Sequence, residues 1–118
     1  MKCMICNTQL NSSSYCPGCG CNVTVQKQIV ALSNLYYNRG LEKAQIRDLS
    51  GAITCLQRSL RMYKYNIHAR NLLGLVYFET GEVVAALSEW VISKNMQPEN
   101  NIAADYINRL QKNQNSNE

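Results

Sequence analysis

Residues Ile67–Asn100, IHARNLLGLVYFETGEVVAALSEWVISKNMQPEN, decide how the rest of the chain is read. Leu72, Leu73, Val76 and Tyr77 recur at helical spacing with small Gly74 beside them. After Thr80-Gly81, Val83, Ala86, Leu87, Trp90 and Val91 do the same. Gly81 suits the left-handed position that closes a first helix, and Pro98 blocks further winding of a second. A single amphipathic hairpin cannot bury its apolar face alone, so neighbouring units of the same kind are expected on either side.

Both flanks supply candidates. Upstream, Val25 to about Gln45 reads as a long helix with Ile29, Leu32, Leu35 and Tyr36 on one face and Tyr37 flanking it. Gly40 is there either a tolerated helical glycine or a bend. Asp48 is a good N-cap for the next helix, whose buried stripe is Ala52, Ile53, Leu56, Leu60 and Tyr63, with Cys55 as a small filler beside it. Asn66 is placed to cap the helix that follows. Downstream of Pro98, Ile102, Ala103, Tyr106, Ile107 and Leu110 mark one more amphipathic helix, and residues 113–118 are too polar to pack.

Aligning Ala52 with Ala86 sets Leu56 against Trp90, Ser59 against Ser93 and Asn66 against Asn100, an offset of 34 residues. Residues 67–100 resemble the tetratricopeptide repeat, with Leu73, Gly74, Tyr77, Ala86, Trp90 and Pro98 at the motif positions. Trp90 stands where Phe or Tyr is usual and Ser93 where a small Ala is usual. The upstream repeat matches in its second helix. Its first helix needs about six extra residues to bring Tyr37 to the tyrosine position, with Asn34 at the glycine position. The resemblance implies that the motif residues are packing devices. It places ligand contact on the inner face of the first helices, at His68, Asn71, Leu75 and Phe78 with Glu79 at the rim, and at Ala31 and Leu35 upstream. Leu75 and Phe78 make that groove apolar, which suits an extended or helical peptide with apolar anchors.

The chain opens Cys3-Met-Ile-Cys6, and nine residues later Cys16-Pro-Gly-Cys19-Gly20 follows. Each C-x-x-C turns two sulfurs toward one ion, and two facing pairs complete a tetrahedron. Asn7 and Gly20 tolerate the left-handed backbone such a knuckle needs. Thr8 to Tyr15 carries only Leu10 and Tyr15 as apolar side chains and cannot hold a fold by burial. A structural Zn²⁺ on Cys3, Cys6, Cys16 and Cys19 is expected, without an open catalytic position, because residues 1–28 contain no His or acid. Cys21 is the odd thiol, able to exchange with Cys19 but read as a bystander. The segment is similar to short bacterial zinc ribbons ending in Cys-Pro-x-Cys-Gly.

The expected architecture is all-α. A small C4 zinc ribbon at 1–22 precedes an antiparallel helix-turn-helix, tetratricopeptide-like superhelix at 23–112, about two repeats plus a capping helix. A disordered polar tail at 113–118 follows. Hydrophobic residues make up 46% of the chain and no apolar run is long enough to span a bilayer. With no leader segment visible, a cytoplasmic protein with reduced thiols is expected. The net charge of +4 leans on the middle of the chain, where Arg58, Arg61 and Lys64 form a weak basic patch, read as a solvated helix face. No Ser/His/Asp set, paired carboxylates or phosphate loop supports an enzyme. The expected function is a non-enzymatic protein-interaction module, a scaffold or adaptor that self-association would extend. The alternative is a nucleic-acid-associated regulator using the ribbon and the basic patch.

Overall fold

The helices of the computed structural model, which describes residues 1–116, repeat at a fixed step along the chain. α1 (Thr24–Gln45) and α2 (Leu49–Met62) are followed by α3 (Ile67–Glu79), α4 (Val83–Met96) and α5 (Ile102–Ser116). Gln45 and Glu79, Leu49 and Val83, and Met62 and Met96 all bound their helices at the same 34-residue offset. α5 continues through Ser116 into the segment expected as a polar tail, whose last residues, 117–118, lie outside the described residues.

This register corrects the upstream repeat. No insertion is needed, because α1 is simply longer at its N-terminal end. The glycine position belongs to Gly40, not Asn34. A Cβ on Gly40 would lie 2.8 Å from Leu56 Cγ, and one on Gly74 would run into the Trp90 indole. Gly40 therefore sits in an unbroken helix and lets α2 approach, as Gly74 does for α4. Arg47 (φ 64°) occupies the left-handed turn position that Gly81 (φ 86°) fills in the second pair. Asp48 and Asn66 cap α2 and α3 as expected, accepting from the amides of Gly51 and Ala69 at 3.1 and 3.2 Å.

The face that α1 buries also differs from expectation. Leu32 and Leu35 are 39% and 44% exposed, while Gln26, Ser33 and Gly40 are buried. The cause is the closeness of α1 and α2. Ser33 Oγ donates to the Ser59 carbonyl at 2.8 Å, Ser59 Oγ returns a bond to the Ser33 carbonyl at 2.7 Å, and Asn66 Nδ2 reaches Ser33 Oγ at 2.9 Å. A leucine does not fit between backbones that close, and each buried hydroxyl is satisfied.

Two apolar clusters hold the stack. Ala52, Leu56, Ala69, Leu73 and Val76 join α2 to α3, and Ala86, Trp90, Ala103 and Ile107 join α4 to α5. Half-buried Tyr77 packs on both. The outward faces at the two ends carry charged residues beside exposed Leu35 and Ile102. Leu73 and Val76 correspond to exposed Arg39 and Glu42 on α1, and Leu75 and Phe78 correspond to exposed Arg109 and Lys112 on α5. No helix among the described residues is long and apolar enough to cross a membrane.

The Asn66–Asn100 match also shifts. Asn100 adopts φ 54°, and α5 starts one residue later than the offset requires. Asn101 takes over the role of Asn66, donating to Ser93 Oγ at 2.9 Å and accepting from the Ala103 amide at 3.0 Å. Asn101→Ala is expected to lower stability by about 1–2 kcal/mol, as loss of a cap does. Asn100→Gly should be neutral, since glycine suits its backbone. Thermal melts compare them, and equal losses would refute the shifted register.

Candidate functional site

The first 22 residues contain two copies of one small structure. In the first knuckle the Cys3 amide donates to Thr8 O, the Asn7 amide to Cys3 O, and the Ile5 amide to Cys3 Sγ at 3.4 Å. In the second, the Cys16 amide donates to Cys21 O, the Gly20 amide to Cys16 O, and the Gly18 amide to Cys16 Sγ, also at 3.4 Å. Antiparallel bridges Lys2–Gln9 and Tyr15–Asn22 close the two loops. Asn7 (φ 64°) and Gly20 (φ 75°) take the left-handed turn that folds each amide back toward its sulfur. The two knuckles are thus related by an offset of 13 residues.

Facing each other, they bring Cys3, Cys6, Cys16 and Cys19 together with all Sγ atoms within 4.8 Å of one another. Cys3 and Cys19 are 3.9 Å apart, and Cys6 and Cys16 3.4 Å. A tetrahedral ion with metal–sulfur bonds of about 2.3 Å needs sulfur–sulfur edges of about 3.8 Å. The donor set therefore fits one tetrahedral metal ion. Inward-turned amides suit it further, since four thiolates around a divalent cation leave net negative charge for N–H groups to offset.

The thiols do not share their protons equally. Amides of Cys6 and Ile5 stabilise the Cys3 thiolate and bring its pKa down from 9.0 to about 6. The Thr8 hydroxyl and amide lower Cys6 as well. The Cys19 amide pulls Cys16 down, but burial and the thiols of Cys6 and Cys19 outweigh it and raise that pKa. For Cys19 the Cys21 amide acts downward, and the Cys21 thiol, burial and Cys6 together push the value up to about 11. Ionising one sulfur makes ionising its neighbours harder, a conflict that a bound cation removes.

Helix α1 anchors this cluster. Val23 is fully buried between Cys3 and Cys16. Gln26 Oε1 accepts from the Met4 amide at 2.8 Å, and its Nε2 lies 3.9 Å from Cys3 Sγ and 3.8 Å from Cys21 Sγ. Lys27 Nζ donates to the carbonyls of Asn11 and Ser13 at 2.6 and 2.8 Å. Neither Gln26 nor Lys27 is singled out by the sequence reading. Their signal in the sequence is their place in the first turn of the helix that follows Cys21.

The residues expected to form a groove separate into two groups. His68 is exposed, its ring 6.2 Å from that of Tyr37, and Phe78 is 41% exposed. Glu79 is exposed and pairs with Arg47 at 3.4 Å. Asn71 is instead buried, donating to Asn101 Oδ1 at 3.0 Å while its carbonyl accepts from Trp90 Nε1 at 3.2 Å, so it belongs to the packing. Leu75 is half-buried against the α4–α5 cluster. Upstream, the 34-residue register replaces Ala31 and Leu35 by Asn34, Tyr37, Leu41 and Ala44 as the counterparts on α1. The motif positions Leu73, Gly74, Ala86 and Trp90 lie in the core, Tyr77 bridges the two clusters, and Pro98 follows α4 in an exposed turn.

No protein-family model matches the chain, and no curated protein matches it either.

Proposed function

We propose that this chain is a non-enzymatic interaction module. A structural zinc ribbon, with Zn²⁺ on Cys3, Cys6, Cys16 and Cys19, locks the start of a short tetratricopeptide-like superhelix that takes a protein or peptide partner. The observation that carries the helical half of this reading is the unbroken 34-residue register, from Gly40/Gly74 through Ala52/Ala86, Leu56/Trp90 and Ser59/Ser93. Metal binding by four thiolates requires a reducing compartment, so the cytoplasm is the proposed location.

The partner surface is the face that joins α1 to α3, with His68 and Phe78 as its exposed anchors and Glu79 at the rim. Arg58 stacks over the Tyr36 ring at 5.9 Å and Lys64 over Tyr65 at 5.0 Å, which engages two of the basic patch's cations within the chain. Both cations keep their charge there, and protein is preferred over nucleic acid because the exposed anchor Phe78 is apolar. The test is capture by the full-length chain against a His68→Ala/Phe78→Ala variant, with melting curves as the folding control. Loss of a salt-resistant partner at unchanged stability is expected. A nucleic-acid mobility shift that weakens steeply with salt and ignores this variant would instead select the regulator reading.

A further inference from the structure

The pseudo-symmetry of the two knuckles isolates one atom that the four-sulfur site does not use. Thr8 and Cys21 occupy equivalent positions, two residues after the second cysteine of each knuckle. Thr8 Oγ1 lies 3.2 Å from Cys6 Sγ, and Cys21 Sγ lies 3.2 Å from Cys19 Sγ. A hydroxyl there can only hydrogen-bond to the ligand sulfur. A thiol at the same place is itself a metal ligand. Cys21 also reaches the opposite knuckle at 3.8 Å from Cys3 Sγ, against 3.9 Å for Cys19, but it lies outside the set of four mutually close sulfurs and must shift inward to take the Cys19 place. Gln26 Nε2 approaches Cys3 and Cys21 almost equally, at 3.9 and 3.8 Å.

We infer that Cys19 and Cys21 are interchangeable ligands, so that three fixed thiolates and one of two alternating thiolates complete the metal site. In the exchange Cys21 gives up its proton and binds, while Cys19 leaves and takes a proton, with no oxidant or reductant involved. Cys19 is exposed and Cys21 half-buried, so a reagent that blocks the outer sulfur leaves the inner one to close the tetrahedron. A four-thiolate site with an exposed vertex thereby keeps its ion after losing that vertex. The inference rests on the metal-site reading above.

Cobalt(II) serves as the probe, because its charge-transfer absorption counts bound thiolates. Full-length wild type, Cys16→Ser, Cys19→Ser, Cys21→Ser and the Cys19→Ser/Cys21→Ser double variant are titrated under reducing conditions. Cys19→Ser and Cys21→Ser are each expected to hold one ion with the wild-type, four-thiolate intensity. The double variant and Cys16→Ser should fall by about one quarter, the share of one ligand in four. If Cys19→Ser already matches the double variant, the exchange does not occur. Absence of any cobalt spectrum in wild type would overturn the metal site itself. A measurement on wild type guards against a misfolded variant. With zinc-loaded protein and limiting alkylating reagent, Cys19 and Cys21 should be marked to comparable extents, and marking of Cys21 alone refutes the exchange.

Discussion

Trp90→Ala is expected to destabilise the chain by about 3–5 kcal/mol, the range for deleting a large buried aromatic. The indole is only 3% exposed and is held on every side. Its Nε1 donates to the Asn71 carbonyl at 3.2 Å, and its ring lies 5.1 Å from Tyr106 and 6.3 Å from Phe78. The open edge of Gly74 admits it against α3. The truncation therefore empties a place where α3, α4 and α5 meet, and it removes the side-chain donor from a buried carbonyl that keeps only its partner in the α3 ladder. A domain of this size has about 5–15 kcal/mol in total, so the variant sits near its unfolding threshold.

The loss should be local. The α2–α3 cluster around Leu56 and Leu73 is separate from the Trp90 cluster, with Tyr77 as the link. In a stack of nearest-neighbour interfaces, α4 and α5 then lose hydrogen-exchange protection while α1 to α3 keep theirs. Trp90→Phe retains the ring and forfeits the Nε1 bond, so about 1 kcal/mol is expected. Urea melts of the two variants check both figures. A uniform loss of protection along the whole chain would show that the clusters behave as one cooperative core.

Much of this arrangement was legible in the sequence because it depends on residues whose roles are locally enforced. Two C-x-x-C pairs leave few alternatives to a shared ion. Asn7, Gly20 and Gly81 announce left-handed turns, and Asp48 and Asn66 announce caps. The register of the first repeat is hidden in the sequence for a physical reason. Tyrosine and glycine are both motif residues, and Tyr37 invites an alignment that Gly40 forbids. The contact between Gly40 and Leu56 and the shared helix bounds decide between them. The buried face of α1 was hidden for a related reason. Periodicity finds Leu32 and Leu35, whereas helices that approach through Ser33 and Ser59 bury small polar residues. Hydroxyls satisfied by the opposite backbone leave no hydrophobic signature. Arg47 in a left-handed turn and Asn71 in the core are likewise set by tertiary partners, not by residue type.

Removal of the proposed metal is the second large effect, and it should divide the chain in two. Structural zinc in small four-ligand sites contributes about 10–16 kcal/mol of apparent binding free energy near pH 7, most of it spent on folding the segment that carries the ligands. Here the segment's core is only Cys3, Cys16 and Val23, with Leu10 and Cys21 packed on it. Chelation is expected to abolish the amide dispersion of residues 1–22 and to fray the first turn of α1, where Gln26 and Lys27 lose their partners. Helices α2 to α5 share no cluster with the first 22 residues and should keep their spectra, save at Tyr63, Tyr65, Ile67 and Met96, which line a cavity with Met1 to Gln9. Reloading at neutral pH should release close to four protons per ion, because the thiols of the unfolded segment sit near the ordinary cysteine pKa of about 8.5. The amides that hold Cys3 at about 6 act only once the knuckle is folded. Since the loaded site carries no thiol protons, affinity falls as pH falls. Calorimetric titration in buffers of different ionisation heat gives the count directly. Release of only two to three would mean that the knuckle persists without metal and that the amides of Ile5 and Cys6 prepare a thiolate before the metal arrives.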